Sequence, residues 1–388
     1  MQIRLLSLIV AATAVLVVGC STPSANSAGT SPAAASAASV QPVAAAPQVS
    51  RAAIAPALYE LAYSARQHAL FAVSAGGFGE DAPASKLLKL EPDTLAVVAE
   101  VPLEPSGFGI ALDDAANRIY VGQGLDARIA VFDSTTLEPV GSVQLIAHKT
   151  KGADGRERFA HHFRQLVLDP ANKRLYAPGL STEGSALYVV DTQALRVEKV
   201  VPGFGQVATG IALDPARQRL FVSNLRSGLF EVDTRTLEIR NAYEVAADQL
   251  LNLWFDAQSG RLFATDQGLE AINARRQKVD PTFVPHPGNR VVVFDPDSGR
   301  ITAGIPTDEG PIALRLDAPR HRLFVTNRGG ASVTVFDTQT LERLHTIALP
   351  DHPNSLAYDD VNQVLYVSVK NGREADREAP ESIARIAF

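Results

Sequence analysis

The sequence predicts an all-β fold, a seven-bladed β-propeller. Three observations carry that prediction: short β-rich runs repeat along the chain, turn formers separate them, and no repeated piece sustains a helical period. Aligned on one apolar anchor, the copies begin at Leu61, Ile110, Leu166, Ile211, Leu253, Leu314 and Leu356. Successive anchors lie 42 to 61 residues apart. A four-stranded blade takes roughly 40–45 residues, so the longer spacings mark insertions. One hairpin cannot bury both of its faces; blades stacked around an axis can.

The segment before the repeats reads as export and attachment. Arg4 gives a positive start, and residues 5–18 form an apolar run too short to span a bilayer comfortably. The run ends in Val17-Val18-Gly19-Cys20, which is similar to the lipobox of bacterial lipoproteins. Residues 1–19 are therefore expected to be a signal peptide and Cys20 the lipidated residue. The alternative is an ordinary signal peptide beside a chance cysteine, yet Cys20 is the only cysteine in the chain. A body without cysteine excludes disulfides, Cys-based zinc sites and haem attachment through Cys-x-x-Cys-His.

Residues 20–48 are rich in Ala, Ser and Pro and carry no charge. Such a stretch buries too little apolar surface to fold, and it is expected to be a tether with a reach of roughly 30 Å. The propeller would then occupy residues 49–388. By the resemblance to lipoprotein sorting signals, Ser21 favours the outer membrane. The expected location is the cell envelope, lipid-anchored at the outer membrane and facing the periplasm, with no other membrane contact.

Within the body, the clearest copy runs Ile211-Ala212-Leu213-Asp214, Arg219-Leu220-Phe221-Val222-Ser223-Asn224, Phe230-Glu231-Val232-Asp233 and Thr236-Leu237-Glu238. A second runs Leu314-Arg315-Leu316-Asp317, Arg322-Leu323-Phe324-Val325-Thr326-Asn327, Val333-Thr334-Val335-Phe336-Asp337 and Thr340-Leu341-Glu342. Asp169, Asp214, Asp256, Asp317 and Asp359 follow strand A of their copies, and Asp133, Asp191, Asp233, Asp295 and Asp337 follow strand C. Turn stabilisation is the expected role of both columns. The seventh copy has only three strands, so residues 49–54 are expected to supply its fourth and close the ring.

The long segments distinguish the two faces. In a propeller the B–C and D–A loops share one face, the top, and the A–B and C–D turns share the other. Residues 75–85, 146–163, 267–289 and 370–381 all fall on the top, where a rigid scaffold carries function. Two of these loops are basic: Lys149, Lys151, Arg156 and Arg158 in one, Arg275, Arg276 and Lys278 in the other. They are expected either to form an anion site or to be plain solvated loops. His148, His161 and His162 match no metal-ligand spacing.

Two residues precede each strand A anchor and should ring the mouth of the channel. Tyr59, Glu60, Phe108, Arg164, Gln165, Thr209, Asn252 and Asn354 are the candidate ligand-binding residues among them. Rings could stack on bases, Arg164 could meet a phosphate, and the amides could hydrogen-bond. The alternative is that these groups satisfy one another around the axis.

The stretch Leu323 to Asn327 resembles the signature of YVTN propeller repeats. His352-Pro353-Asn354-Ser355-Leu356-Ala357, Leu365-Tyr366-Val367-Ser368-Val369-Lys370 and Ala384-Arg385-Ile386-Ala387-Phe388 resemble the C-terminus of the YncE-like periplasmic propellers. Tyr59-Glu60-Leu61-Ala62-Tyr63-Ser64 resembles the start of their first blade. The resemblance implies a seven-bladed periplasmic propeller and an association with DNA, single strands included.

Three functions stay open. The first is a non-enzymatic binding module, with single-stranded DNA as partner. The second is an envelope scaffold for a protein partner. The third is a lactonase-like enzyme with a divalent cation held by Glu60, Asn252 and Asn354. The mouth columns hold one carboxylate, Glu60, which makes a poor cation site. No hydrolase elbow or phosphate-binding glycine motif occurs. The expectation is a monomer with no catalytic residue, no metal and no cofactor. A net charge of −6 argues against a protein that coats nucleic acid with its whole surface.

Overall fold

The computed structural model describes residues 46–77, 82–152, 155–372 and 374–388. The expected signal peptide, Cys20 and the tether as far as residue 45 lie outside the described residues. No helix among the described residues is long and apolar enough to cross a membrane.

Seven antiparallel sheets follow one another along the chain, each built on four main strands. Blade 1 comprises Leu58–Ser64, Ala69–Ser74, Lys86–Leu90 and Val97–Pro102. Blade 7 comprises His352–Asp359, Val364–Lys370 and Glu381–Ala387, and its outer strand is Gln48–Ala55. That strand pairs Val49 with Ile386 and Ala52 with Ile383, so the ring closes through the N-terminal side as the sequence predicts. Arg51 fastens it, donating to Pro350 O at 2.9 Å and Ser382 Oγ at 2.5 Å. Deleting residues 49–54 should lower the melting temperature sharply, because it uncovers a full edge; an unchanged value would contradict the closure.

The core lies between blades rather than within them. Phe71 and Val73 of blade 1 pack against Ile110, Ile119 and Phe132 of blade 2. Leu58, Leu70 and Ala72 of blade 1 meet Tyr366 and Ile383 of blade 7, which completes the circle. Burying one such large side chain stabilises by roughly 1.5–3 kcal/mol.

The bottom turns are regular. Every A–B turn has four residues between its strands, and the last is left-handed: His68, Asn117, Lys173, Gln218, Gly260, His321 and Gln363. The aspartate columns bind these turns. Asp214 Oδ1 accepts from Arg217 N at 3.2 Å, and Asp359 Oδ1 from Val361 N at 3.0 Å. After strand C, Asp233 Oδ1 accepts from Arg235 N and Thr236 N. Leu95, Leu137 and Leu237 then take positive φ. That conformation costs about 1–2 kcal/mol for a residue with a Cβ. Burial of those leucine side chains offsets it.

The insertions carry elements that the sequence does not announce, among them a small hairpin of Thr150–Lys151 with Glu157–Arg158. The insertion in blade 5 contains a helix, Glu270–Val279, that buries none of its residues. It has no apolar stripe, so periodicity gives no sign of it. Polar contacts hold it instead: Gln249 Nε2 donates to Leu269 O and Asn273 Oδ1, and Arg276 pairs with Asp248 at 3.0 Å.

Candidate functional site: the top mouth and the channel

The mouth residues owe their aim to a repeated irregularity. In blades 1, 4, 5, 6 and 7 the pairing of strands A and B skips between Leu58 and Leu61, Ala208 and Ile211, Leu250 and Leu253, Pro311 and Leu314, and Pro353 and Leu356. The two skipped residues in each case are the mouth pair. A bulge turns side chains out of the alternation and toward the axis.

Hydroxyls in strand B hold the bulges. Thr265 Oγ1 accepts from Asn252 N of its own blade and donates to Ile312 O of the next. Thr326 accepts from Ala313 N and donates to Asn354 O. Ser368 accepts from Ser355 N and donates to Tyr59 O, across the ring closure. The fourth residue of the repeated Leu-Phe-Val-Thr-Asn stretch is thus a link between blades as well as a strand residue.

Two cavities result. The upper one, about 510 Å³, is lined by Tyr59, Glu60, Phe108, Arg164 and Asn354 together with Leu125, Leu269 and Arg328. The lower one, about 340 Å³, is the channel, and Glu60, Gln165 and Asn252 reach it. Most of the expected mouth residues therefore converge at the top of the axis. Thr209 lines neither cavity; it is buried, and its Oγ1 donates to Leu250 O at 3.0 Å.

Arg164 is the centre of the upper site. Its guanidinium donates to Asn252 Oδ1 at 2.6 Å. Burial lowers its pKa, the nearby Glu60 carboxylate opposes that shift, and the Arg328 charge adds to it. Burial pushes the Glu60 carboxyl up to about 7, against the opposing pull of Arg164 and of the Ile110 N–H that Oε2 accepts at 3.2 Å. Tyr59 and Phe108 meet edge to face with centroids 4.9 Å apart. Lys370 lies 4.0 Å from the Tyr59 ring centroid and pairs with Glu381 at 3.0 Å. The wall thus offers aromatic surface beside Arg164 and Arg328, a setting for a planar anionic group, with the paired Lys370 behind Tyr59. A divalent cation held by Glu60, Asn252 and Asn354 would have to displace Arg164, whose guanidinium already occupies the Asn252 oxygen.

The basic loops contribute differently from expectation. None of Lys149, Lys151, Arg156, Arg158, Arg275, Arg276 and Lys278 lines the upper cavity. Lys149 lies over the Phe159 ring, and Arg276 is taken by Asp248 and stacks 3.7 Å from the Phe283 centroid. Lys151 and Arg158 line a separate cleft with His162 and Glu183. Arg275 and Lys278 are exposed on the helix. His161 is tied to Tyr188 Oη and Gly184 O.

Reading only the column before strand A missed Arg328 and Lys370. Both directly follow the five-residue stretch of strand B, at Asn327 and Val369, and Gln267 follows Asp266 in the same place. Tabulating that second column would have found them.

Among groups of candidate metal ligands in the described residues, His68, Glu91 and Asp93 stand together on the bottom of blade 1. Both His68 nitrogens are engaged, Nδ1 with Tyr63 Oη and Nε2 with Asp93. Glu91 is bound into its own turn by Thr94. The trio is a turn network.

No family model matches the chain. The chain is 27% identical over 336 residues to the uncharacterized protein YncE of Salmonella typhimurium, covering 85% of this chain and 88% of that protein. Against the uncharacterized protein YncE of Escherichia coli K12 the identity is 27% over 340 residues, with the same coverage. Among solved structures, Kuenenia stuttgartiensis hydrazine synthase shares the fold at a TM-score of 0.65 and 13% identity, over 81% of this chain and 93% of that one. The chain is a seven-bladed β-propeller similar to YncE proteins along most of its length.

Proposed function

We propose that this chain is a non-enzymatic binding protein whose top mouth takes single-stranded nucleic acid. One observation carries the reading: Arg164 and Arg328 line one cavity with the rings of Tyr59 and Phe108 at the top of the axis. Stacked bases need a ring face and their phosphates need cations, and a single strand offers both to a narrow site while a duplex hides its base faces. A cavity of about 510 Å³ would take only a few nucleotides, and the rest of the strand would lie across the top.

We further propose that Cys20 carries the lipid and the tether presents the propeller in the cell envelope at the outer membrane, as a monomer. Leu125 and Leu269, both on the mouth wall, are 48% and 37% exposed. That apolar rim favours a second reading, a protein partner docking on the same face.

Fluorescence anisotropy with a labelled thymidine oligonucleotide, single-stranded and then annealed, tests the first reading. The single strand should bind more tightly, and Phe108→Ala should weaken it by roughly tenfold with little change in melting temperature, since stacking contributes about 1–3 kcal/mol per base. Equal binding of duplex, or none at low salt, would refute it. Crosslinking in cells that captures one envelope protein through Leu269 would favour the scaffold.

A further inference from the structure

The top mouth leaves the other end of the channel unexplained. Arg315 lies in strand A of blade 6, Pro311–Asp317, and lines both the channel and the cavity at the lower mouth. Its guanidinium is stacked 4.6 Å from the ring centroid of Trp254 in the neighbouring blade. Among the described residues it has no hydrogen bond and no ion pair, and its Nε is shut off from the surface without a partner. Other arginines lining these blades are held by carboxylates: Arg219 by Asp214, Arg290 by Asp266, Arg320 by Asp317.

Arg315 is half-buried, and a charge partly withdrawn from water without a partner is costly until an anion meets it. Burial also lowers the Arg315 pKa, with only the Asp360 charge acting against it. The rim below is acidic: Asp114, Asp256, Asp317 and Asp360 line the lower cavity. Three of them are engaged, Asp114 by Ser64, Asp256 by Ser259 and Asp317 by Tyr358. They leave Arg315 unpaired, and their charge resists a dianion. On the channel wall, Gln165 Oε1 is a second buried polar atom without a partner.

We propose that the channel holds a small monocarboxylate, its two oxygens on the planar fork of Arg315 beside Trp254. A guanidinium matches two coplanar oxygens, which favours a carboxylate over chloride. Arg315 lines the channel and the lower cavity and is not on the wall of the upper one, so the test at Arg315 is read without nucleic acid.

Trp254 is the only tryptophan in the chain, so its emission reports on this site alone. The full-length protein is titrated with sodium acetate at constant ionic strength, with sodium chloride making up the balance; inorganic phosphate is a second arm and Arg315→Met a control. The expected result is a saturable change in Trp254 emission with acetate, at least tenfold weaker with phosphate and absent in the variant. Arg315→Met should also unfold at an unchanged or higher urea concentration, because it removes a half-buried charge that has no partner. An emission change that does not saturate, or that persists in Arg315→Met, would overturn the site. Tighter binding of phosphate than acetate would overturn the carboxylate assignment. A response to neither anion would overturn the proposal.

Discussion

The two ends of the propeller hold their charges differently. At the bottom, aspartates close turns and answer arginines: Asp214 holds Arg217 N and pairs with Arg219, which also meets Asp297 at 2.5 Å. At the top, Arg164 meets an amide oxygen and a Glu60 carboxyl whose pKa is raised to about 7, while Arg328 is exposed at the mouth. Most charge at the bottom is spent on the fold, Arg315 excepted. At the top Lys370, Arg276 and Arg290 are paired as well, and Arg328 is the exposed cation on the mouth wall. The same repeat produces both ends because its turns are short and fixed on one side, whereas its bulges and long loops open on the other.

The largest effect expected from breaking this contrast is at the bottom. Arg219→Met leaves Asp214 buried without its counter-charge, while Glu231 keeps Arg240 and Asn241. It should cost about 3 kcal/mol or more by urea unfolding, in the range for removing one partner of a buried pair. Oligonucleotide affinity at a temperature where the variant is folded should be unchanged. Loss of binding in that folded variant would erase the division between the ends.

The converse change, Arg328→Ala, should alter stability by less than about 0.5 kcal/mol, as for an exposed side chain. It should weaken single-strand binding roughly tenfold, the scale of a lost charge-assisted contact. A stability loss without a binding loss would assign Arg328 to the scaffold.

A smaller effect follows from Glu60. Its raised pKa means the carboxyl is mostly neutral at pH 6 and mostly ionised at pH 8. The groups facing it are Arg164 and, through Arg164, Arg328, so ionisation cancels positive charge at the mouth. Anion affinity should therefore fall as pH rises through about 7, by roughly twofold to tenfold. A raised carboxyl pKa also costs folding stability from about pH 4.3 upward, and that cost is complete above pH 7. Glu60→Gln should flatten the stability profile between about pH 4.3 and 7 and the binding profile around pH 7; an unaltered pH profile of binding would exclude Glu60 from the site.

The bottom was far more legible in the sequence than the top. Short turns opened by an aspartate repeat in most copies, so comparing copies reveals Asp214, Asp233 and Asp359 as turn residues without any coordinates. The closing strand was legible too, because the seventh copy lacks a strand and an uncovered edge has few alternatives. Mouth residues belong to no consensus: Tyr59, Arg164 and Asn354 occupy equivalent places with different chemistry. Their shared position could be read, and it brought most of them together. Which cations remain available could not be read. Lys149 and Arg276 look alike to Arg328 in sequence, yet Phe159, Phe283 and Asp248 engage the first two. Partners from distant segments decide that. Thr209 shows the same limit, since its hydroxyl serves the Leu250 carbonyl of the next blade.

The most direct test of the account is the salt dependence of single-strand binding in paired variants of the two ends. For wild type, log K should fall linearly with log salt. Arg328→Ala at the top should reduce that slope by about 0.7, the value of one phosphate contact on a single strand. Arg320→Ala at the bottom should leave the slope at its wild-type value. Equal slopes in all three proteins, or a reduced slope only for Arg320→Ala, would contradict the claim that the top mouth is where this propeller binds.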